Sequence, residues 1–244
     1  MNETRQGIGL AVSTVIFALR PHPQTGLSAL WIPLVRRNRD PFEGSWALPG
    51  GWVSEQESLA DAAARNLLET TSVEPSYLEQ LYCFGEVDRS PDRRVVSIVY
   101  WALVRPEQAV RSIDGDNVRW FLADELPELA FDHNLIVDYA LWRLRTKVEY
   151  SRIAHALLGP TFTLTELREV HEAVLQRPLD PANFRRQVEK DLVPTDAVVT
   201  GGRHRPPRLY RYDESISLVD NGPLTHNGAA THNGLVPSNA RSFA

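Results

Sequence analysis

Two stretches of the 244-residue chain hold side chains whose types and spacing could do chemistry. The first runs from Pro41 to Glu57, Pro-Phe-Glu-Gly-Ser-Trp-Ala-Leu-Pro-Gly-Gly-Trp-Val-Ser-Glu-Gln-Glu. Adjacent Gly50 and Gly51 let backbone N–H groups come close to a ligand, with positive φ open to them at no steric cost, and such a turn suits a phosphate. Just before it, Arg36, Arg37 and Arg39 read either as a clamp for a diphosphate or as a solvated loop, and the residues leave both readings open. Trp46 and Trp52 likewise read as core or as base-stacking residues. Ser54 and Glu57 stand at capping-box spacing, which places the start of a helix between them and its end near Val73. On that helix Glu69 follows Arg65 at i+4, the spacing of a surface ion pair, while Glu57 and Arg65 brace the loop against the helix.

Gly51, five residues, Glu57, seven residues, then Arg65-Asn-Leu-Leu-Glu-Thr-Thr-Ser-Val73 resembles the Nudix box, the loop-helix-loop signature of nucleoside-diphosphate hydrolases. The family pattern has a glutamate after the arginine, then two adjacent glutamates, then a glycine; here those places hold Asn66, Glu69, Thr70 and Ser72. Positions 66, 69 and 70 share one helix face, where three carboxylates would gather around Mg²⁺, a cation that takes hard oxygen ligands and polarises a diphosphate. One carboxylate remains. The expectation is therefore a pocket that keeps its ligand but has lost, or nearly lost, metal-dependent hydrolysis, with no catalytic residue, no metal and no required cofactor. The alternative is an active Nudix hydrolase of ADP-ribose or another nucleoside diphosphate derivative.

The second stretch is Val174–Tyr212, with eight basic residues against four acidic ones. That is a local +4 in a chain of net charge −5, so the remainder carries −9. Such asymmetry fits an acidic body joined to a basic, DNA-facing piece. A composition 43% hydrophobic and 23% charged is that of an ordinary soluble protein. No apolar run approaches the ~20 residues of a membrane span and no signal-peptide pattern opens the chain, so the expected location is the cytoplasm. Cys83, the lone cysteine, reads as a small core residue. The seven histidines are scattered rather than spaced as zinc ligands.

The elements that must position these residues follow from periodicity. Residues 8–19 are nearly continuous in apolarity, as in a strand buried on both faces, and 28–35 is its hairpin partner. Residues 77–88, 94–104 and 117–122 supply further strands. Leu129-Ala-Phe-Asp-His-Asn134 leads into an amphipathic helix to about Val148, with Asp132 as N-cap and Leu135, Ile136, Tyr139, Ala140, Trp142 and Leu144 as its apolar positions. His133 reads as an effector contact or as a surface or capping residue. A short helix over 153–158 ends at Gly159-Pro160. Thr163 and Glu166 form a second capping box, opening a helix to about Gln176. Asp180 caps a third helix, Pro181–Lys190, whose Phe184 and Val188 face inward. That leaves Asn183, Arg186, Gln187 and Lys190 outward and Arg185 at the flank. Two strands, 192–200 and 207–212, enclose a wing carrying Arg203 and Arg205, and Arg208 on the second strand joins them as a candidate DNA contact.

Three helices followed by a strand-wing-strand describe a winged helix-turn-helix, whose third helix reads base edges in the major groove while the wing meets phosphates or the minor groove. Thr165 and Arg168 add backbone contacts from the second helix. Residues 213–244, where Thr-His-Asn-Gly occurs twice, read as a low-complexity tail. The predicted architecture is an α/β Nudix-like sandwich over 1–149 followed by a winged helix domain over 150–212.

The altered box, the Ala-Phe-Asp-His segment, Phe162-Thr-Leu-Thr-Glu-Leu, Asn183-Phe-Arg-Arg and the Gly-Gly-Arg-x-Arg-Pro wing together resemble the NrtR family, the Nudix-related regulators of NAD metabolism. The resemblance covers residues 7–212. It implies a homodimeric regulator, usually a repressor, that senses ADP-ribose or a related NAD metabolite and holds double-stranded operator DNA. On that reading Arg36, Arg37, Arg39, Trp46, Gly50, Gly51, Glu69 and His133 face the effector. Lys147, one of two lysines, lies at the domain junction as a candidate for regulation by acylation.

Overall fold

The structure is a computed structural model that describes residues 7–72, 75–109, 117–198 and 207–213. The wing residues Arg203 and Arg205, and the tail beyond Asp213, lie outside the described residues.

Strand β1 (Gly9–Pro21) is the axis of a mixed sheet. Its central residues are buried on both faces: Val12, Val15, Ile16 and Phe17 are apolar, and between them the buried Ser13 hydroxyl bonds Ser97 Oγ at 3.1 Å. It pairs antiparallel with β2 (Ser28–Arg36) and parallel with β6 (Val95–Val104), whose outer edge carries β5 (Tyr77–Phe84). β2 carries β3 (Trp46–Ala47) and β7 (Val118–Leu122), and β4 (Gly50–Trp52) pairs back onto β1. α2 (Pro106–Ala109) is a single turn after β6.

One sheet face is covered by α1 (Leu59–Thr71), through Ala62, Ala63 and Leu67 packed on Val12, Ile16 and Tyr100. The other face is covered by α3 (His133–Tyr150), through Ile136, Val137, Ala140 and Leu144. The core on that second face continues without a break into the C-terminal part. There a 3₁₀ turn (Ile153–Leu157), α4 (Leu164–Leu175), α5 (Pro181–Val188) and the hairpin β8 (Leu192–Val198) and β9 (Arg208–Tyr212) complete a winged helix.

Four expectations change here. α1 begins at Leu59, because the Ser58 hydroxyl caps Asp61 N at 3.1 Å; Ser54 and Glu57 bond to each other one loop earlier, Ser54 N to Glu57 Oε1 at 2.8 Å. α5 stops at Val188 and tightens into a 3₁₀ turn over Glu189–Asp191. Cys83 is exposed, on a strand whose register shifts between Gln80 and Tyr82, so alternation past the shift does not follow the pattern before it. Leu135 and Trp142 of α3 are exposed although apolar, 59% and 56%, because the buried stripe runs through 133, 136, 137, 140, 141, 144, 147 and 148. The capping box of Thr163 and Glu166 forms as expected, with reciprocal bonds of 2.7 and 3.1 Å.

Candidate functional site

Gly50 and Gly51 are required for a reason different from positive φ, which neither adopts. A Cβ on Gly50 would stand 2.4 Å from Val12 O, and one on Gly51 would stand 2.9 Å from Asn66 Oδ1. The pair is therefore compressed between the backbone of β1 and the side chain of α1. Asn66 is buried and donates Nδ2–H to Ala62 O at 2.7 Å, which holds its carbonyl oxygen under Gly51.

Arg65 ties this loop to the helix. Its guanidinium donates to both oxygens of Glu57, at 3.0 and 2.9 Å, and to Glu69 at 3.4 Å. Those hydrogen bonds hold the Glu57 carboxyl below its ordinary range. Glu69 is exposed and its charge is turned to Arg65. Among the described residues no group of three or more His, Cys, Asp or Glu side chains is gathered as a metal site needs.

The arginine loop is self-braced. Arg36 Nε donates to Gly44 O at 3.2 Å, and Arg37 donates to Pro41 O at 2.7 Å and Arg39 O at 3.3 Å while lying over the Phe131 ring at 4.7 Å. Phe42 and Phe131 both hold positive φ, 65° and 57°, and their rings meet edge-on at 4.8 Å. A bulky residue is rarely found in that region, so contacts around it must hold it there. Trp46, half-buried, packs edge-on against Phe121 at 5.2 Å with Arg119 over its ring.

His133 departs from its expected place at a ligand-facing surface. It is buried, and its Nδ1 accepts the Leu48 N–H at 3.0 Å, two residues before Gly50. That bond needs an unprotonated Nδ1, and burial holds the ring pKa down to about 4. His133 thus positions the loop from below rather than touching what the loop holds. Beside it, Asp132 leaves the helix cap unmade and takes a bidentate bond from Arg89, at 2.9 and 2.6 Å. Residues 43 apart in sequence give no local signal of such a pair.

Lys147 also departs from expectation. Its ammonium is buried, 2% exposed, bonded to Glu79 at 2.7 Å and Tyr77 Oη at 2.8 Å and flanked by the Tyr77 and Trp101 rings. An acylating reagent cannot reach it in the folded chain. Lys147 anchors α3 to the sheet.

The second surface is α5. Asp180 Oδ1 caps Asn183 N at 2.8 Å and Pro181 fills the first turn, so the helix starts where the sequence places it. Phe184 is buried against His171 of α4, ring centroids 5.0 Å apart, and His171 Nδ1–H donates to Leu167 O at 2.8 Å. Burial lowers the His171 pKa. Asn183, Arg185, Arg186, Gln187 and Lys190 are all exposed on the outward side. Arg186 bonds Asn183, and Arg185 pairs with Glu189 at 3.0 Å. Thr165 and Arg208 are exposed, whereas Arg168 is half-buried, paired with Glu172 at 3.0 Å and directed at Leu179 O. Arg168 braces the α4–α5 connection.

The fold and these two surfaces define a class, a Nudix-type sandwich that carries a winged helix. The NUDIX domain family model matches residues 10–139, and the NrtR DNA-binding winged helix domain model matches residues 154–212. The chain is 35% identical over 190 residues to the ADPR responsive transcriptional repressor NtrR of Acinetobacter baylyi, covering 75% of this chain and 76% of that one. It is 35% identical over 113 residues to the ADP-ribose pyrophosphatase of Methanocaldococcus jannaschii, covering 46% of this chain and 67% of that one. The crystal structure of Shewanella oneidensis NrtR complexed with a 27mer DNA superposes with a TM-score of 0.73 at 36% identity, over 84% of this chain and 93% of that one. The chain belongs to the NrtR family.

Proposed function

We propose that this chain is an ADP-ribose-responsive transcriptional repressor of NAD-metabolism genes, acting in the cytoplasm as a homodimer on double-stranded operator DNA. The observation that carries the reading is α5, a capped helix anchored by Phe184 that turns Asn183, Arg185, Arg186 and Gln187 outward, with Lys190 exposed on the 3₁₀ turn that follows. Side chains of these types meet base edges and phosphates when such a helix enters a major groove. The similarity to a repressor that responds to ADPR supports the effector class. The expected pocket lies among the Gly50–Gly51 strand, the Arg36–Arg39 loop and α1, with Trp46 and Glu69 at its edges.

The donor set on α1 does not fit a divalent cation. Asn66 is neutral, with its amide turned to the helix backbone, and the Glu69 carboxylate faces Arg65. A magnesium site in such a pocket would need carboxylates plus substrate phosphates, so binding without turnover is the function these residues support. Two recognition helices of a dimer sit ~34 Å apart on successive half-sites. An effector that binds the two arrangements of the dimer with different affinity shifts that spacing and releases DNA.

The test is a gel shift on promoter DNA with and without ADP-ribose, repeated with Arg186→Ala and Lys190→Ala. Wild type binds and ADP-ribose weakens the complex, while each substitution lowers affinity roughly tenfold, the effect of losing one good contact. Hydrolysis of ADP-ribose with Mg²⁺ at ordinary enzyme rates, about 1 s⁻¹ or more, would establish the hydrolase reading instead.

A further inference from the structure

The helix-turn-helix is gripped at its turn by two side chains of the sandwich. α4 ends at Gln176, which takes the left-handed conformation, φ 52° and ψ 38°, and starts the connection to α5. Gln176 Nε2 donates to Asp124 Oδ2. The other oxygen, Asp124 Oδ1, accepts from Arg145 Nη2 of α3 at 2.6 Å. Arg145 Nε in turn donates to Val174 O at 3.0 Å, one of the carbonyls that the end of a helix leaves without an intrahelical partner. A guanidinium at the negative end of α4 is also favoured by the helix dipole.

Asp124 is connected to the arginine loop through the sheet. It follows β7, and Ala123 N donates to Leu30 O at 2.9 Å. β7 runs antiparallel along β2 from Leu122 opposite Trp31 to Val118 opposite Val35. Arg36 N then donates to Asn117 O at 2.8 Å, where the arginine loop begins. The β2–β7 pair is thus a rigid bar about 16 Å long, with the loop at one end and Asp124 at the other. The Asp124 and Arg145 side chains are only about a third exposed, 29% and 32%, and they border an open cleft of about 510 Å³. Water in that cleft can take over their hydrogen bonds, so this contact opens without uncovering the apolar core.

We propose that Asp124 is the positioning residue that couples the pocket to the recognition helix. With the pocket empty, its carboxylate clasps Gln176 and Arg145 and sets α5 in its DNA-competent orientation. Occupation of the arginine loop moves β2–β7, releases the clasp and frees the turn. This rests on the ADP-ribose-responsive reading above.

The experiment uses the full chain and measures operator DNA affinity by fluorescence anisotropy with and without ADP-ribose, and ADP-ribose affinity by calorimetry. Variants are Asp124→Ala and Gln176→Asn, the second because asparagine tolerates the left-handed conformation but falls short of Asp124. The expected result is ADP-ribose binding within twofold of wild type, with the ADP-ribose-dependent change in DNA affinity reduced at least fivefold. By linkage, the effect of DNA on ADP-ribose affinity falls by the same factor. A merely structural role would lower DNA affinity equally with and without ADP-ribose, and that outcome, or an unchanged response in both variants, overturns the proposal. A wild-type chain that binds DNA but ignores ADP-ribose overturns the functional reading and the clasp with it, and this is seen before any variant is measured.

Discussion

His133 shows how a residue with catalytic-looking chemistry can be committed to structure. Its Nδ1 acceptor bond to Leu48 N exists only in the neutral ring, and burial lowers the folded-state pKa to about 4 from an ordinary value near 6.5. The unfolded chain therefore takes up the proton first as pH falls. Stability from this group is complete above about pH 6.5 and is lost progressively down to about pH 4, by roughly 3 kcal/mol in all. His171, also shifted down by burial, acts with the same sign. His133→Asn keeps an acceptor near the same place but cannot titrate. Urea denaturation at pH 7, 5.5 and 4.5 should show the wild type losing its advantage over the variant as pH falls, and parallel stability curves would remove this account.

At the scale of elements, α5 depends on a few local devices. The Asp180 cap and Pro181 start it, Phe184 anchors it, and Arg185–Glu189 pair along its exposed side. Losing an N-cap costs about 1 kcal/mol. Asp180→Ala is accordingly expected to lower global stability by about that amount in urea and to weaken DNA binding, since the first turn carries Asn183. Lys190, on the 3₁₀ turn that follows α5, is expected to meet phosphate. Lys190→Ala should weaken binding uniformly across DNA sequences and reduce the slope of log affinity against log salt by about 1. A sequence-dependent loss would instead place Lys190 on base edges.

For the whole molecule the decisive feature is the shared core. One apolar cluster runs from Val15, Phe17 and Trp101 of the sheet through Leu144 and Val148 of α3 to Leu157, Leu167, Val174 and Phe184. Ser76 Oγ–H donates to Ala156 O at 2.5 Å, and Arg177 pairs with Glu149 at 3.0 Å across the same junction. Two parts joined this way should unfold together. All six tryptophans lie between residues 31 and 142, so fluorescence reports on the sandwich alone, while far-UV circular dichroism also sees α4 and α5. Coincident urea midpoints are expected by the two probes. A separate, earlier loss of ellipticity would show that the winged helix melts independently.

Much of the fold was legible because it rests on local chemistry. Continuous apolarity marked β1. Capping residues placed the starts of α4 and α5, and the Phe184 and Val188 spacing separated the buried side of α5 from its basic one. Each of these signals lies within a turn or a strand, where backbone geometry alone relates the residues. What the residues could not show depends on partners far away in sequence. Arg89 with Asp132, Lys147 with Glu79, Leu48 with His133 and Asp124 with Arg145 and Gln176 are separated by 21 to 85 residues. Whether a histidine or lysine is a ligand-facing group or a buried brace is set by desolvation and by the partner it finds, and only the tertiary structure brings that partner into reach.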